Sequence, residues 1–118
     1  LLVKRGKVLV YPGKWCLPGG FIERNETLKF AAKREAQEES GYRIKIESLF
    51  RIIDSPHRRQ EESQNVAFEF LAQAVKKISR PDHEVSEVKW FDLNHLPPQS
   101  DMAFDHLETI KLYIKNKL

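Results

Sequence analysis

Gly20-x5-Glu26-x7-Arg34-Glu35-Ala36-Gln37-Glu38-Glu39-Ser40-Gly41-Tyr42 is the stretch that decides how this chain is read. Four carboxylates and one arginine stand at fixed spacings between two glycines. Thr27 is an expected N-cap, and Leu28 to Ser40 an expected helix. Gly41 is expected to end it in the left-handed conformation. Asn25, in the turn before the helix, is a residue that tolerates positive φ. On a wheel of about 100° per residue, Leu28, Ala31 and Ala32 mark the face that packs on a sheet. Lys29, Lys33 and Gln37 lie on the other side. Glu35 and Glu39 fall with the alanines, one turn apart, and Glu38 sits on the flank of that face. Unpaired carboxylates buried together are costly, so a cation is their natural partner. A salt-bridged amphipathic helix, with Arg34 and Glu38 paired at i,i+4, is the plainer alternative. The surrounding spacing argues against it, because seven fixed positions match by chance only roughly once in a million such chains.

This pattern resembles the Nudix box: Gly, five residues, Glu, seven residues, then Arg-Glu-apolar-x-Glu-Glu-x-Gly-apolar. Every fixed position is met, and the two apolar slots hold Ala36 and Tyr42. Upstream, Trp15-x-Leu17-Pro18-Gly19-Gly20 is also similar to the family, whereas Asn25 stands where many members carry Gly. The resemblance implies the Nudix fold: an α+β, α/β/α sandwich around a mixed β-sheet, with the box helix and a C-terminal helix. It implies a somewhat longer first strand than this chain has, so the N-terminus is expected to be clipped. It also implies Mg²⁺, with Mn²⁺ able to substitute, held by Glu35, Glu38, Glu39 and the Gly19 carbonyl. Glu35 and Glu39 would be catalytic, Arg34 would orient the acids, and Glu26 would support Arg34. A general base or further ligand would be Glu35 itself or, from a late loop, Glu84 or Glu87. The implied reaction is hydrolysis of the diphosphate in a nucleoside diphosphate derivative, NDP-X.

For the substrate, residues 50–56 and 102–106 are similar to those of small ADP-ribose pyrophosphatases of the family. That implies hydrolysis of ADP-ribose to AMP and ribose 5-phosphate. Phe104 would line the nucleotide pocket, and Asp105 would hydrogen-bond a base or ribose. The alternative makes Phe104 a core residue and Asp105 a helix cap. Arg58 and Arg59 are candidates for phosphate contacts. Phe21 and Phe68 would line the pocket or fill the core. Competing functions are a house-cleaning triphosphate pyrophosphatase acting on oxidised nucleotides, a non-catalytic nucleotide sensor, and RNA decapping. The intact box argues against the sensor, and the lack of a basic tract with interleaved aromatics argues against decapping.

Composition sets the outer bounds. The chain has 118 residues, 41% hydrophobic and 31% charged, which fits one soluble domain spanning 1–118. No apolar run is long enough for a membrane span, and Leu1-Leu2-Val3-Lys4 does not read as a signal peptide. The lone Cys16 fits a reducing cytoplasm. A net charge of +3 suits an anionic small-molecule substrate and is too weak to indicate nucleic acid. His57, His83, His95 and His106 lack zinc-ligand spacing. A homodimer is possible, but no interface is legible.

Beyond the box, Leu1 to Val3 and residues 7–10 are expected to form a hairpin turning at Gly6. Strands are expected at Tyr42–Ile53, 65–75 and 88–91, with a loop at 57–64. A terminal helix is expected at 104–118, with Leu107, Ile110, Ile114 and Leu118 on one face.

Overall fold

The computed structural model describes residues 1–7, 9–59 and 64–117. Val8, residues 60–63 of the expected loop, and Leu118 lie outside the described residues. In chain order the elements are β1 (Leu2–Arg5), β2 (Trp15–Cys16), α1 (Leu28–Ser40), β3 (Tyr42–Ile53), β4 (Ala67–Lys77), β5 (Val85–Lys89), a single 3-10 turn (Gln99–Asp101) and α2 (His106–Lys117). This is an α+β fold of two helices on two sheets.

The strands divide into a β2-β1-β5 sheet and a long antiparallel β3-β4 hairpin. In the first sheet β1 pairs antiparallel with both neighbours, and a parallel bridge from Trp15 to Met102 makes it mixed. Successive side chains of β1 point to opposite faces, so this central strand serves two cores. Val3 packs with Cys16, Val85 and Ala103. Leu2 packs with Met102 and Leu107, joined by Trp15, Leu17, Phe91 and Ile110. The long hairpin receives α1 against β3, while α2 reaches it through Tyr113 on Phe50, ring centroids 6.1 Å apart.

The box helix has the expected bounds. Thr27 Oγ1 accepts from Phe30 N at 3.1 Å, and Asn25 is left-handed with φ 69°. Gly41 closes the helix at φ 80°, its N–H donating to the Gln37 carbonyl. A Cβ at Gly41 would lie 2.1 Å from the Ser79 carbonyl oxygen, so space as well as conformation demands glycine there. Leu28, expected on the packed face, is instead exposed. The buried residues of the helix are Ala31, Ala36 and Ser40.

The first hairpin differs from expectation. Residues 7–10 form no strand among those described, and β1 instead pairs with β2 in the register Val3–Cys16 and Lys4–Trp15. The reversal falls at Tyr11 (φ 55°) and Gly13 (φ 77°), where Gly13 N donates to Arg5 O. Gly6 serves another purpose. Its N–H donates to the Glu84 carbonyl at 2.9 Å, and a Cβ there would meet that oxygen at 2.8 Å. β4 runs two residues later than expected. β5 starts at Val85, because Val85 already pairs with Arg5. α2 starts at His106 because Phe104 is left-handed, φ 55°. No helix among the described residues is long and apolar enough to cross a membrane.

Candidate active site

Arg34 organises the acidic helix. Its fork grips Glu26, with Nε to Oε2 at 2.6 Å and Nη2 to Oε1 at 2.9 Å. Nη2 also donates to the Phe21 carbonyl at 3.2 Å. Nη1 donates to Glu35 Oε1 at 2.8 Å and reaches Glu38 at 3.3 Å. Glu26 in turn accepts from Glu23 N at 2.7 Å. One planar guanidinium therefore ties the box loop to the helix. The hydrogen bond from Arg34 holds the Glu26 carboxyl below its ordinary range.

Glu35 and Glu39 are half-buried on the flank of the packed face, and Glu38 is exposed. Glu39 Oε1 accepts the Gly19 N–H at 2.8 Å. Glycine at position 20 makes room for Glu35, since a Cβ there would lie 2.5 Å from its carboxyl carbon. Burial pushes the Glu39 carboxyl up to about 7. Gly19 opposes the shift, and the charges of Glu35, Asp82 and Glu84 add to it. Burial also raises Glu35; Arg34 opposes this, and Glu38 and Glu84 reinforce it. The result is a pocket of carboxylates that repel one another.

The late loop enters this pocket by design of the backbone. Asp82 N donates to the Glu38 carbonyl at 2.8 Å, and Ile78 N donates to the Gly41 carbonyl at 2.8 Å. Asp82 Oδ1 accepts from Glu84 N at 3.1 Å, and the Gly6 bond fixes Glu84 from the other side. Glu84 is thus half-buried, with its charge acting on both Glu35 and Glu39. Glu87 is different: it is exposed on β5 opposite Lys4 and is not among the charges acting on those two acids. Of the two late-loop candidates, only Glu84 is brought to the acidic helix.

The residues expected to contact substrate gather elsewhere. A cavity of about 430 Å³ is lined by Arg51, His57, Arg58, Arg59, Asp105 and Glu108, among others. Arg58 does not present its guanidinium to solvent. Nε and Nη2 bind Asp105 at 2.7 and 2.8 Å, and both side chains are buried. Burial would raise the Asp105 carboxyl, but the Arg58 pair outweighs it and holds that carboxyl below its ordinary range. Arg59 is half-exposed and stands 3.7 Å from Glu108. Arg51 donates to Glu69 at 2.6 Å and to Thr109 Oγ1 at 2.5 Å, next to a register shift in the hairpin that re-aims it. The Asp105 side chain therefore pairs with Arg58, and the first bond of α2 is made by its backbone carbonyl to Thr109 N. Phe104 packs on the Val3 core, edge-on to Tyr11 at 5.6 Å, with Arg5 4.9 Å above its ring. Phe21 is 78% exposed, so it fills no core; Phe68 is also exposed. Cys16 is buried, and that burial pushes its thiol up to about 11, which makes it an inert core residue.

A family model for the NUDIX domain matches residues 1–113. The chain belongs to the Nudix family. It is 36% identical over 117 residues to an ADP-ribose pyrophosphatase of Methanocaldococcus jannaschii, covering 99% of this chain and 66% of that protein. It is 30% identical over 135 residues to an oxidized purine nucleoside triphosphate hydrolase of Danio rerio, covering 99% of this chain and 78% of that protein. Among solved structures, a NUDIX hydrolase from Nitrosomonas europaea superimposes with a TM-score of 0.75 at 37% identity, covering 87% of this chain and 55% of that one. The chain thus spans somewhat less than two thirds of the archaeal relative and about half of the bacterial structure.

For this Nudix chain the helix, its caps and the acidic pocket were all signalled by the box. Arg51 and His106 lie in the stretches 50–56 and 102–106 but carry no individual signal there, and neither Thr109 nor Asp82 is marked by its local sequence. Tyr11 carried only a turn signal.

Proposed function

We propose that this Nudix chain is a Mg²⁺-dependent pyrophosphohydrolase that cleaves the diphosphate of an NDP-sugar, with ADP-ribose as the leading candidate. The supporting observation is the placement of half-buried Glu35 and Glu39 beside the Gly19-Gly20 turn, with Glu39 held by the Gly19 N–H and the Glu84 backbone fixed alongside by Gly6. Carboxylates so placed are a fitting donor set for a hard divalent cation. Among the described residues, no three Asp, Glu, His or Cys side chains are gathered tightly enough to chelate an ion by themselves. Magnesium does not require that, since it takes one or two carboxylates and keeps several waters. Glu35, Glu38, Glu39 and the Gly19 carbonyl are the groups that would hold it. Bound there, such a cation would supply charge neutralisation for the diphosphate and a lowered pKa for the attacking water.

The chain's own groups do the rest. Arg34 keeps the acids in place through its grip on Glu26. Glu84, anchored between Gly6 and the helix end, accepts the proton of the attacking water, and Glu35 is the alternative base. Water adds to one phosphorus, the bridging P–O bond breaks, and AMP and ribose 5-phosphate leave.

The sugar assignment rests on the cavity wall. Its arginines are already answered by carboxylates, so it offers fixed donors and acceptors without an open cationic pocket for a further phosphate. That surface suits hydroxyl groups. The identity of the archaeal relative points the same way. The zebrafish relative supports a second reading, release of pyrophosphate from an oxidised purine triphosphate. Incubation with Mg²⁺ and a panel of ADP-ribose, UDP-sugars, NADH and oxidised dNTPs decides between them. AMP from ADP-ribose is expected. Pyrophosphate from the oxidised dNTP, with ADP-ribose untouched, would replace this reading with the second one.

A further inference from the structure

His106 opens α2, half-buried, and has no part in the reaction described above. Its Nδ1 accepts the Leu17 N–H at 3.0 Å across 89 residues of sequence. That bond requires Nδ1 to be unprotonated, with the ring proton on Nε2. Burial keeps the imidazole neutral; the Asp105 charge opposes this, and the nearby cations Arg58, Arg5 and Arg51 reinforce it. The ring also packs against Phe104, centroids 5.4 Å apart.

The position of this bond gives it meaning. His106 follows Asp105, the acid that locks Arg58 into the cavity wall. Leu17 precedes Pro18 and Gly19, and the Gly19 N–H holds Glu39. One further link runs alongside: Ala103 N donates to the Trp15 carbonyl at 2.8 Å, part of the parallel bridge between Trp15 and Met102. That bridge ends at Trp15. The His106 bond is the link that extends the seam to Leu17, two residues from the glycine carbonyl assigned to the cation. Pro18 has no N–H to share in that task.

We infer that His106 is a positioning residue: it holds the Leu17-Pro18-Gly19 turn in the register that aims Gly19 and Glu39 at the cation, and so couples the sugar cavity to the metal end. The inference rests on the metal-dependent reading above. Its test has a readout that does not pass through turnover.

The chain is compared as wild type, His106→Asn, His106→Gln and His106→Leu. Asn places its amide oxygen where Nδ1 stands; Gln places its oxygen near Nε2; Leu accepts nothing. Mn²⁺ affinity is read by electron paramagnetic resonance, and Leu17 amide exchange by NMR. His106→Asn is expected to stay within about threefold of wild type in Mn²⁺ dissociation constant. His106→Gln and His106→Leu are expected to weaken binding roughly tenfold or more, with faster Leu17 exchange. Ile110→Ala, a core truncation in the same helix, should lower the melting temperature without moving Mn²⁺ affinity. Equal Mn²⁺ affinity in His106→Asn and His106→Gln overturns the inference, and that pair decides the matter even if His106→Leu fails to fold. A shift in Ile110→Ala as large as in His106→Gln also overturns it. Wild type that binds no Mn²⁺, with Leu17 exchange still controlled by residue 106, would instead refute the metal-dependent reading.

Discussion

Two desolvated acids in this molecule, the half-buried Glu39 and the buried Asp105, show opposite physics. Glu39 and Asp105 are both desolvated, and desolvation raises a carboxyl in each case. At Asp105 the Arg58 fork reverses the effect. At Glu39 the neighbours are Glu35, Asp82 and Glu84, which add to it. The acid at one end of the molecule is therefore answered by a cation, while Glu39 at the other stands among like charges. Burial alone does not make a site; the sign of the neighbours does.

The sharpest way to break this comparison is at the acidic end. Glu35→Gln and Glu39→Gln, made singly, are each expected to lower Mg²⁺-dependent turnover about 10³-fold with the fold intact by circular dichroism. Full activity in both would remove the metal site. At the paired end the damage should be to stability. Asp105→Ala strands a buried guanidinium and is expected to cost about 3–5 kcal/mol in denaturant unfolding. A loss under 1 kcal/mol would show that the pair is not a structural lock.

The pH response should separate the two ends further. Glu39 titrates higher in the folded chain than in the unfolded one. Between its ordinary value and about 7, the folded state therefore holds more protons, and stability falls as pH rises. In the metal-free protein, Glu39→Gln should therefore stabilise the fold at pH 7.5 by about 1–3 kcal/mol. The gain should vanish near pH 4.5. Melting curves of the two chains across that window check it, and a difference that does not change with pH contradicts the assignment. The smallest effect belongs to neither end. Thr27→Ala removes a cap bond and should cost about 1 kcal/mol at every pH; a pH-dependent loss would mean the helix start is coupled to the acids.

The box and its helix were legible because their signals are local. Thr27, Asn25 and Gly41 each act on residues within a few positions, and the acids sit one turn apart. The first hairpin was misread for the opposite reason. Gly6 looked like a turn glycine, yet the atom that demands its missing side chain belongs to Glu84. Arg58 and Asp105 were each named as substrate contacts, but nothing in the sequence said that they bind each other 47 residues apart. His106 lacks metal-ligand spacing in the sequence, and its partner Leu17 is farther still, 89 residues away. Local chemistry was readable along the chain; pairing between distant segments needed the fold.

The cavity wall carries one more consequence. Arg51 faces Glu69, Arg58 faces Asp105 and Arg59 stands by Glu108. Charges already paired at contact distance are little affected by dissolved ions, whereas an open acidic pocket is screened within about 10 Å at moderate salt. Raising ionic strength should therefore weaken any divalent-cation binding at the acidic end and leave the buried Arg58–Asp105 pair nearly untouched.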